Sequence, residues 1–232
     1  MSDAATAIQP VEGLRGEVEL IEPTRAERVV ARRSAEARAT VPSFELSAAL
    51  RVGEALARDH AGECDAVAAV VAAVAAALRA VPRVNGAYRD GRFELYSRVN
   101  VGVTLTGEAS YSTPTVLDAD QKSAAAIAQE LSGYYARLRA GEELRGNEAA
   151  GATFTVLDAT ASTVDSISPI LTPPQAGALA TGPVRAIAAV RDGKLVAAHA
   201  LSVVLSFDHR IVYGQHATAF LDAVRSAMEA GR

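Results

Sequence analysis

The run Ser206-Phe207-Asp208-His209-Arg210 sets one imidazole between a carboxylate and a guanidinium, directly after the apolar stretch Leu201 to Phe207. Three ionisable groups at the mouth of a buried strand are costly unless they are paired or used. Histidine is the side chain best suited to take and return a proton near neutral pH, so His209 is the candidate base. The plain alternative is a strand end meeting solvent, and spacing alone leaves the two readings even. His60, His199 and His216 lack such a setting. His60 ends a predicted helix, where a cation suits the dipole, and the other two read as surface or packing residues. Cys64 opens a predicted helix, but a small buried core residue is the better reading. One cysteine and four scattered histidines give none of the recognised ligand spacings, so no metal is expected. A phosphate-cradling Gly-rich loop and a Gly-x-Ser-x-Gly elbow are both missing from the sequence.

The elements that must position His209 follow from periodicity. Thr24 to about Ala39 suits a helix, with Thr24 and Glu27 spaced as a capping box. Phe44-Glu45-Leu46 reads as a strand, followed by helices over Ala48 to His60 and Asp65 to Ala80. The second of these is apolar on every face, as buried helices are. Asp90-Gly91 marks a hairpin between Ala87-Tyr88 and Phe93 to Tyr96. Val99 to Leu105 and Thr113 to Leu117 read as strands, and Lys122 to Ala140 as an amphipathic helix. Thr153 to Leu157 is a further strand, and Ser168-Pro169 to Pro173-Pro174 a rigid turn region. Gly177 to Val190 and Leu195 to Phe207 pair across Asp192-Gly193, and Gln215 to Ala230 closes the chain as a helix. Hairpin-joined strands packed by helices predict an α+β fold with a mixed sheet. The expected organisation is an irregular arm over 1–20 and one domain over 21–232.

Half of the 232 residues are hydrophobic, enough for a core without disulfides or metal. The formal charge of −4 and the dispersed basic residues exclude a nucleic-acid footprint. A single cysteine suits a reducing compartment. The longest apolar run, Ala66 to Leu78, is too short for a span of about 20 residues, and Met1-Ser2-Asp3-Ala4 does not open like a signal peptide. A cytoplasmic protein without membrane or nucleic-acid partners is expected.

Several short stretches carry a resemblance through their order and spacing. They are Glu27-Arg28-Val29-Val30-Ala31-Arg32-Arg33 with Thr40-Val41-Pro42, Val99-Asn100-Val101-Gly102-Val103, and Asp118-Ala119-Asp120-Gln121-Lys122-Ser123. Thr153-Phe154-Thr155, Pro173-Pro174-Gln175-Ala176 and Leu205-Ser206-Phe207-Asp208-His209-Arg210 complete the set. From about Ile21 onward the chain resembles the catalytic domain of the dihydrolipoamide acyltransferase (E2) components of 2-oxo acid dehydrogenase complexes, which are similar to chloramphenicol acetyltransferase. The resemblance implies a two-layer, chloramphenicol acetyltransferase-like fold built as a homotrimer, with an active site in a channel at each subunit interface. It implies coenzyme A or acetyl-CoA as cosubstrate, no bound cofactor, and His209 as the base that deprotonates a thiol or hydroxyl acceptor. A hydroxyl from the neighbouring subunit then steadies the tetrahedral oxyanion. The residues that hold CoA are not indicated.

Two positions depart from the pattern. The motif resembled runs Asp-His-Arg-x-x-Asp-Gly, whereas this chain has Tyr213 before Gly214, so the second carboxylate is absent. The oxyanion hydroxyl falls on Leu157 and the following Asn on Asp158, with Thr155, Thr160 or Ser162 able to supply a hydroxyl after a register shift. The expected site is therefore His209, Asp208, Arg210 and Tyr213, with Leu157, Asp158, Thr155 and Thr160 on the oxyanion or acceptor side. No lipoyl or partner-binding domain is recognised ahead of the resemblance. That favours acyl transfer from acyl-CoA to the hydroxyl of a small molecule, such as a tetronate intermediate of polyketide antibiotic biosynthesis. The 21 arginines against two lysines point to a high-GC bacterium, where such pathways abound. The alternatives are transfer to a lipoyl group carried in trans and a non-catalytic trimeric core.

Overall fold

Thr24 starts the first helix, α1 (Arg25–Thr40), through the expected capping box. Its hydroxyl accepts the Glu27 N–H at 3.2 Å, and the Glu27 carboxylate accepts the Thr24 N–H at 2.6 Å. The structure, a computed structural model, describes residues 16, 19–53, 56, 64–106 and 111–230. Most of the expected arm, residues 1–15, 17 and 18, lies outside the described residues.

Strand β1 (Ser43–Val52) follows α1, and it corrects the first part of the helix expected over Ala48 to His60. Residues 48–52 continue the strand, Leu56 is helical as expected, and 54, 55 and 57–60 lie outside the described residues. All ten residues of β1 pair antiparallel with β9 (Lys194–Asp208), from Ser43 opposite Asp208 to Val52 opposite His199. Ala48, Ala49 and Leu50 favour helix locally, but a full ladder on a buried strand outweighs propensities of a few tenths of a kcal/mol each.

Helix α2 (Asp65–Ala80) has the bounds its apolar pattern predicts, and its Val and Ala side chains are buried on several faces. It packs between α3 (Ala124–Arg139) and α4 (Gly214–Ala230). Among the described residues, no helix is long and apolar enough to cross a membrane. The hairpin predicted at Asp90-Gly91 forms from β2 (Gly86–Arg89) and β3 (Arg92–Leu95). Asp90 and Gly91 both take positive φ, at 50° and 74°, as a tight two-residue turn requires.

The main sheet is mixed, in the order β1-β9-β8-β7-β4-β5, with β6 also on β4. Here β4 is Val101–Thr106, β5 Tyr111–Ser112, β6 Thr115–Val116, β7 Phe154–Asp158 and β8 Gly177–Arg191. The β4–β7 and β7–β8 pairs are parallel, and the others antiparallel. The β8–β9 hairpin turns at Asp192-Gly193, as predicted, but its register shifts between Thr181 and Val184. Pro183 lies in that interval and cannot donate to a ladder, which accounts for the bulge. The result is an α+β fold in which helices cover the sheet and bury Phe154, Phe207, Phe220, Leu205 and Ile211 completely.

Gly177 lets β8 pass between two rings of this core. A Cβ there would lie 2.7 Å from the Phe154 ring and 2.9 Å from the Phe207 ring, and both phenylalanines are fully buried. Gly177→Ala is expected to cost about 1–3 kcal/mol by overpacking, read as a lower denaturation midpoint with an unchanged m-value.

Candidate active site

The polypeptide turns sharply where β9 ends, and this turn presents His209. The Asp208 N–H donates to the Ala176 carbonyl at 2.9 Å, and the Asp208 carbonyl accepts the N–H groups of Ile211 and Val212. The His209 N–H donates to the Pro42 carbonyl at 2.9 Å, tying the turn to the start of β1. Asp208 is 2% exposed and its carboxylate needs compensation inside the protein. Arg210 supplies it: Nε lies 2.9 Å from Oδ1, Nη2 lies 2.7 Å from Oδ2, and the Arg210 N–H donates to Oδ1 at 2.9 Å. These hydrogen bonds hold the Arg210 guanidinium above its ordinary pKa. The flanking charges therefore satisfy each other and do not bond to the imidazole.

The His209 ring is exposed, with aromatic edges on two sides. Phe44 of β1 meets it at 5.0 Å between centroids and 79°, and Tyr213 at 5.7 Å and 65°. Such edge-to-face pairs fix an orientation and contribute about 0.5–1.5 kcal/mol each. Among the described residues neither imidazole nitrogen has a hydrogen-bond partner, so both are open to a substrate. Tyr213 is tethered in turn: its N–H donates to His216 Nδ1 at 3.2 Å, and the two rings lie 5.6 Å apart. Arg83 donates from Nε to the Ile211 carbonyl at 2.9 Å, with its guanidinium 3.8 Å from the Phe93 ring centroid. Arg210 lies over Tyr88, 5.0 Å from its centroid.

The second half of the expected site is elsewhere on the same sheet. Leu157 pairs with Ala180, and Ala180 with Val204, so Leu157 sits five residues of strand short of His209, roughly 16 Å along the sheet. Asp158, the last residue of β7, is 7% exposed. It accepts from the Tyr135 hydroxyl, from Thr160 N–H at 2.9 Å and from Thr160 Oγ1 at 2.7 Å. Thr155 is buried and donates from Oγ1 to Gln175 Oε1 at 2.7 Å, while Ser162 donates to the Ala159 carbonyl at 2.7 Å. One chain thus brings together His209, Asp208, Arg210 and Tyr213, and keeps Leu157, Asp158 and Thr160 apart from them. Sequence reasoning missed Phe44 as a wall of the base, Arg83 beside Tyr213 and Tyr135 on Asp158. Among the described residues no group of three or more His, Cys, Asp or Glu could hold a metal ion.

Residues 16–231 match the family model for the 2-oxoacid dehydrogenases acyltransferase catalytic domain. The chain belongs to that acyltransferase family. It is 28% identical over 212 residues to the dihydrolipoyllysine-residue acetyltransferase component of the pyruvate dehydrogenase complex from Rickettsia bellii, covering 87% of this chain and 50% of that relative. It is 36% identical over 158 residues to the succinyltransferase component of the 2-oxoglutarate dehydrogenase complex from Bartonella vinsonii, covering 68% of this chain and 38% of that relative. The chain thus spans half or less of the length of these curated relatives. Among solved structures, a probable dihydrolipoamide acetyltransferase from Listeria monocytogenes superposes with a TM-score of 0.84 at 22% identity, over 93% of this chain and 96% of that one. A dihydrolipoamide acetyltransferase from Azotobacter vinelandii gives 0.83 at 23% identity, over 96% of both chains. At such identities the superpositions establish the acyltransferase fold alone.

Proposed function

We propose that this chain moves an acyl group between coenzyme A and an acceptor thiol or hydroxyl, with His209 as the general base. The observation that carries this reading is the His209 ring, exposed and held edge-on between Phe44 and Tyr213, with its nitrogens open. In the proposed step, a ring nitrogen takes the proton from the acceptor's S–H or O–H. The freed nucleophile attacks the thioester carbonyl, the carbon–sulfur bond to CoA breaks, and the imidazolium returns its proton to the leaving thiolate. CoA is a cosubstrate here and not a resident cofactor.

The relatives are named for transfer on dihydrolipoyllysine, which supports a dihydrolipoyl thiol carried in trans as the acceptor. A second reading, transfer to a small-molecule hydroxyl such as a tetronate intermediate, draws support from Tyr213. A phenol ring beside the base, where the resembled motif has a carboxylate, makes that side of the approach aromatic and free of negative charge. The separation of His209 from Leu157, Asp158 and Thr160 supports a site completed between copies, hence a homotrimer. Incubation with acetyl-CoA and either dihydrolipoamide or a panel of alcohols, followed by assay of free CoA, tests the reading. Acceptor-dependent release is expected, and the acceptor that supports it selects between the two; release with neither would sink both.

Tyr213 acts as a positioning residue in this scheme. Tyr213→Ala is expected to lower kcat about three- to tenfold, the worth of one edge-to-face contact. Tyr213→Phe should restore it, because the contact with His209 is made by the ring.

A further inference from the structure

Arg83 is a cation near the base that the proposed step does not use. It follows α2, is half-buried, and is held by three groups from two separate parts of the chain. Its Nε bonds the Ile211 carbonyl, the Phe93 ring of β3 stacks on the guanidinium, and the Tyr213 ring centroid lies 5.8 Å from its Cζ. The neighbouring charges are already engaged: Arg210 with Asp208, and Arg89 with Glu94 at 3.6 Å. Among the described residues no carboxylate lies within ion-pair distance of Arg83, and its two Nη groups have no hydrogen-bond partner. A guanidinium fixed on an aromatic face with its outer fork unused is built for bidentate contact with a carboxylate or phosphate. Tyr213 joins this fork to the base, since the same ring lies 5.8 Å from the guanidinium and 5.7 Å from the imidazole.

We infer that Arg83 is a specificity-determining residue that receives an anionic group of a substrate held at His209. The inference rests on the acyl-transfer reading. The anion is a carboxylate or phosphate, and three parts of the substrates could bring it: the acyl chain, the acceptor, or CoA itself. Three pairs separate these sources. Succinyl-CoA against acetyl-CoA tests the acyl chain, dihydrolipoate against dihydrolipoamide tests the acceptor, and acetyl-CoA against its 3′-dephospho form tests the carrier.

For one pair the ratio of kcat/KM values, anionic over neutral or phosphorylated over dephosphorylated, is expected to fall about tenfold in Arg83→Gln. Arg83→Lys should recover it only in part, because an ammonium lacks the planar fork. A folding defect lowers both members of a pair and leaves their ratio intact. Ratios unchanged in all three pairs would overturn the inference. Calorimetric titration with succinate and with inorganic phosphate at low salt reads the site without turnover. One of these anions should bind the wild type, and about tenfold more weakly in Arg83→Gln. Heats that are absent, or equal in both proteins, would overturn the inference. Wild-type protein that binds the anion but transfers no acyl group would instead sink the acyl-transfer reading alone.

Discussion

Replacing His209 by alanine is expected to lower acyl transfer by a factor of about 10² to 10⁴, the usual worth of a positioned general base. Stability should fall by at most about 1–3 kcal/mol, the worth of two edge-to-face contacts, because the ring is exposed and takes part in no polar network. The backbone anchor of this residue, its N–H on the Pro42 carbonyl, survives the substitution. The two halves of the expectation therefore separate: steady-state kinetics should collapse while the protein still folds and melts cooperatively, with only a modestly lowered midpoint. Turnover that persisted in His209→Ala would remove the base from the scheme, whatever else the site contained.

The second large effect concerns Asp208, and here stability and activity should fall together. Its carboxylate is almost wholly buried and takes three hydrogen bonds under 3.0 Å from Arg210. Asp208→Ala leaves that guanidinium without a counter-charge. Breaking such a pair costs about 3 kcal/mol, at the lower end of the range for buried pairs because Arg210 keeps part of its contact with water. The same bonds shape the turn that carries His209, and a displacement of about 1 Å at a reacting group can cost a hundredfold in rate. A drop of that order in kcat is expected, with a lowered denaturant midpoint. Asp208→Asn keeps the shape but loses the charge, so it should fall between wild type and alanine in both measurements. Wild-type stability in Asp208→Ala would show that the pair contributes nothing net.

What the sequence made legible was set by how local each signal is. The capping box of α1, the all-round apolar α2 and the turns at Asp90-Gly91 and Asp192-Gly193 are written in residues a few positions apart. Strand β1 was misread past Leu46 because its ladder partner lies at the far end of the chain, where Val203 faces Ala48. The bulge near Thr181 carried a signal that could have been used, since Pro183 cannot sit in an unbroken interior ladder. At the site, Asp208, His209 and Arg210 stood out because charges at the end of a buried strand demand a reason. Phe44 and Arg83 gave no such notice: an aromatic in an alternating strand and an arginine after a helix are ordinary residues until the fold sets them beside Tyr213 and His209. The buried Asp158 was marked by its place after Leu157, but its Tyr135 partner sits on a helix whose pattern says only that one face is apolar.

A crystal structure of the protein with coenzyme A bound would test the central claim most directly. The account predicts the CoA sulfur within about 3.5 Å of a His209 ring nitrogen, hydrogen-bond reach for the proton that must move. A sulfur seated away from the ring, or an imidazole turned from it into its own core, would contradict a base at this position.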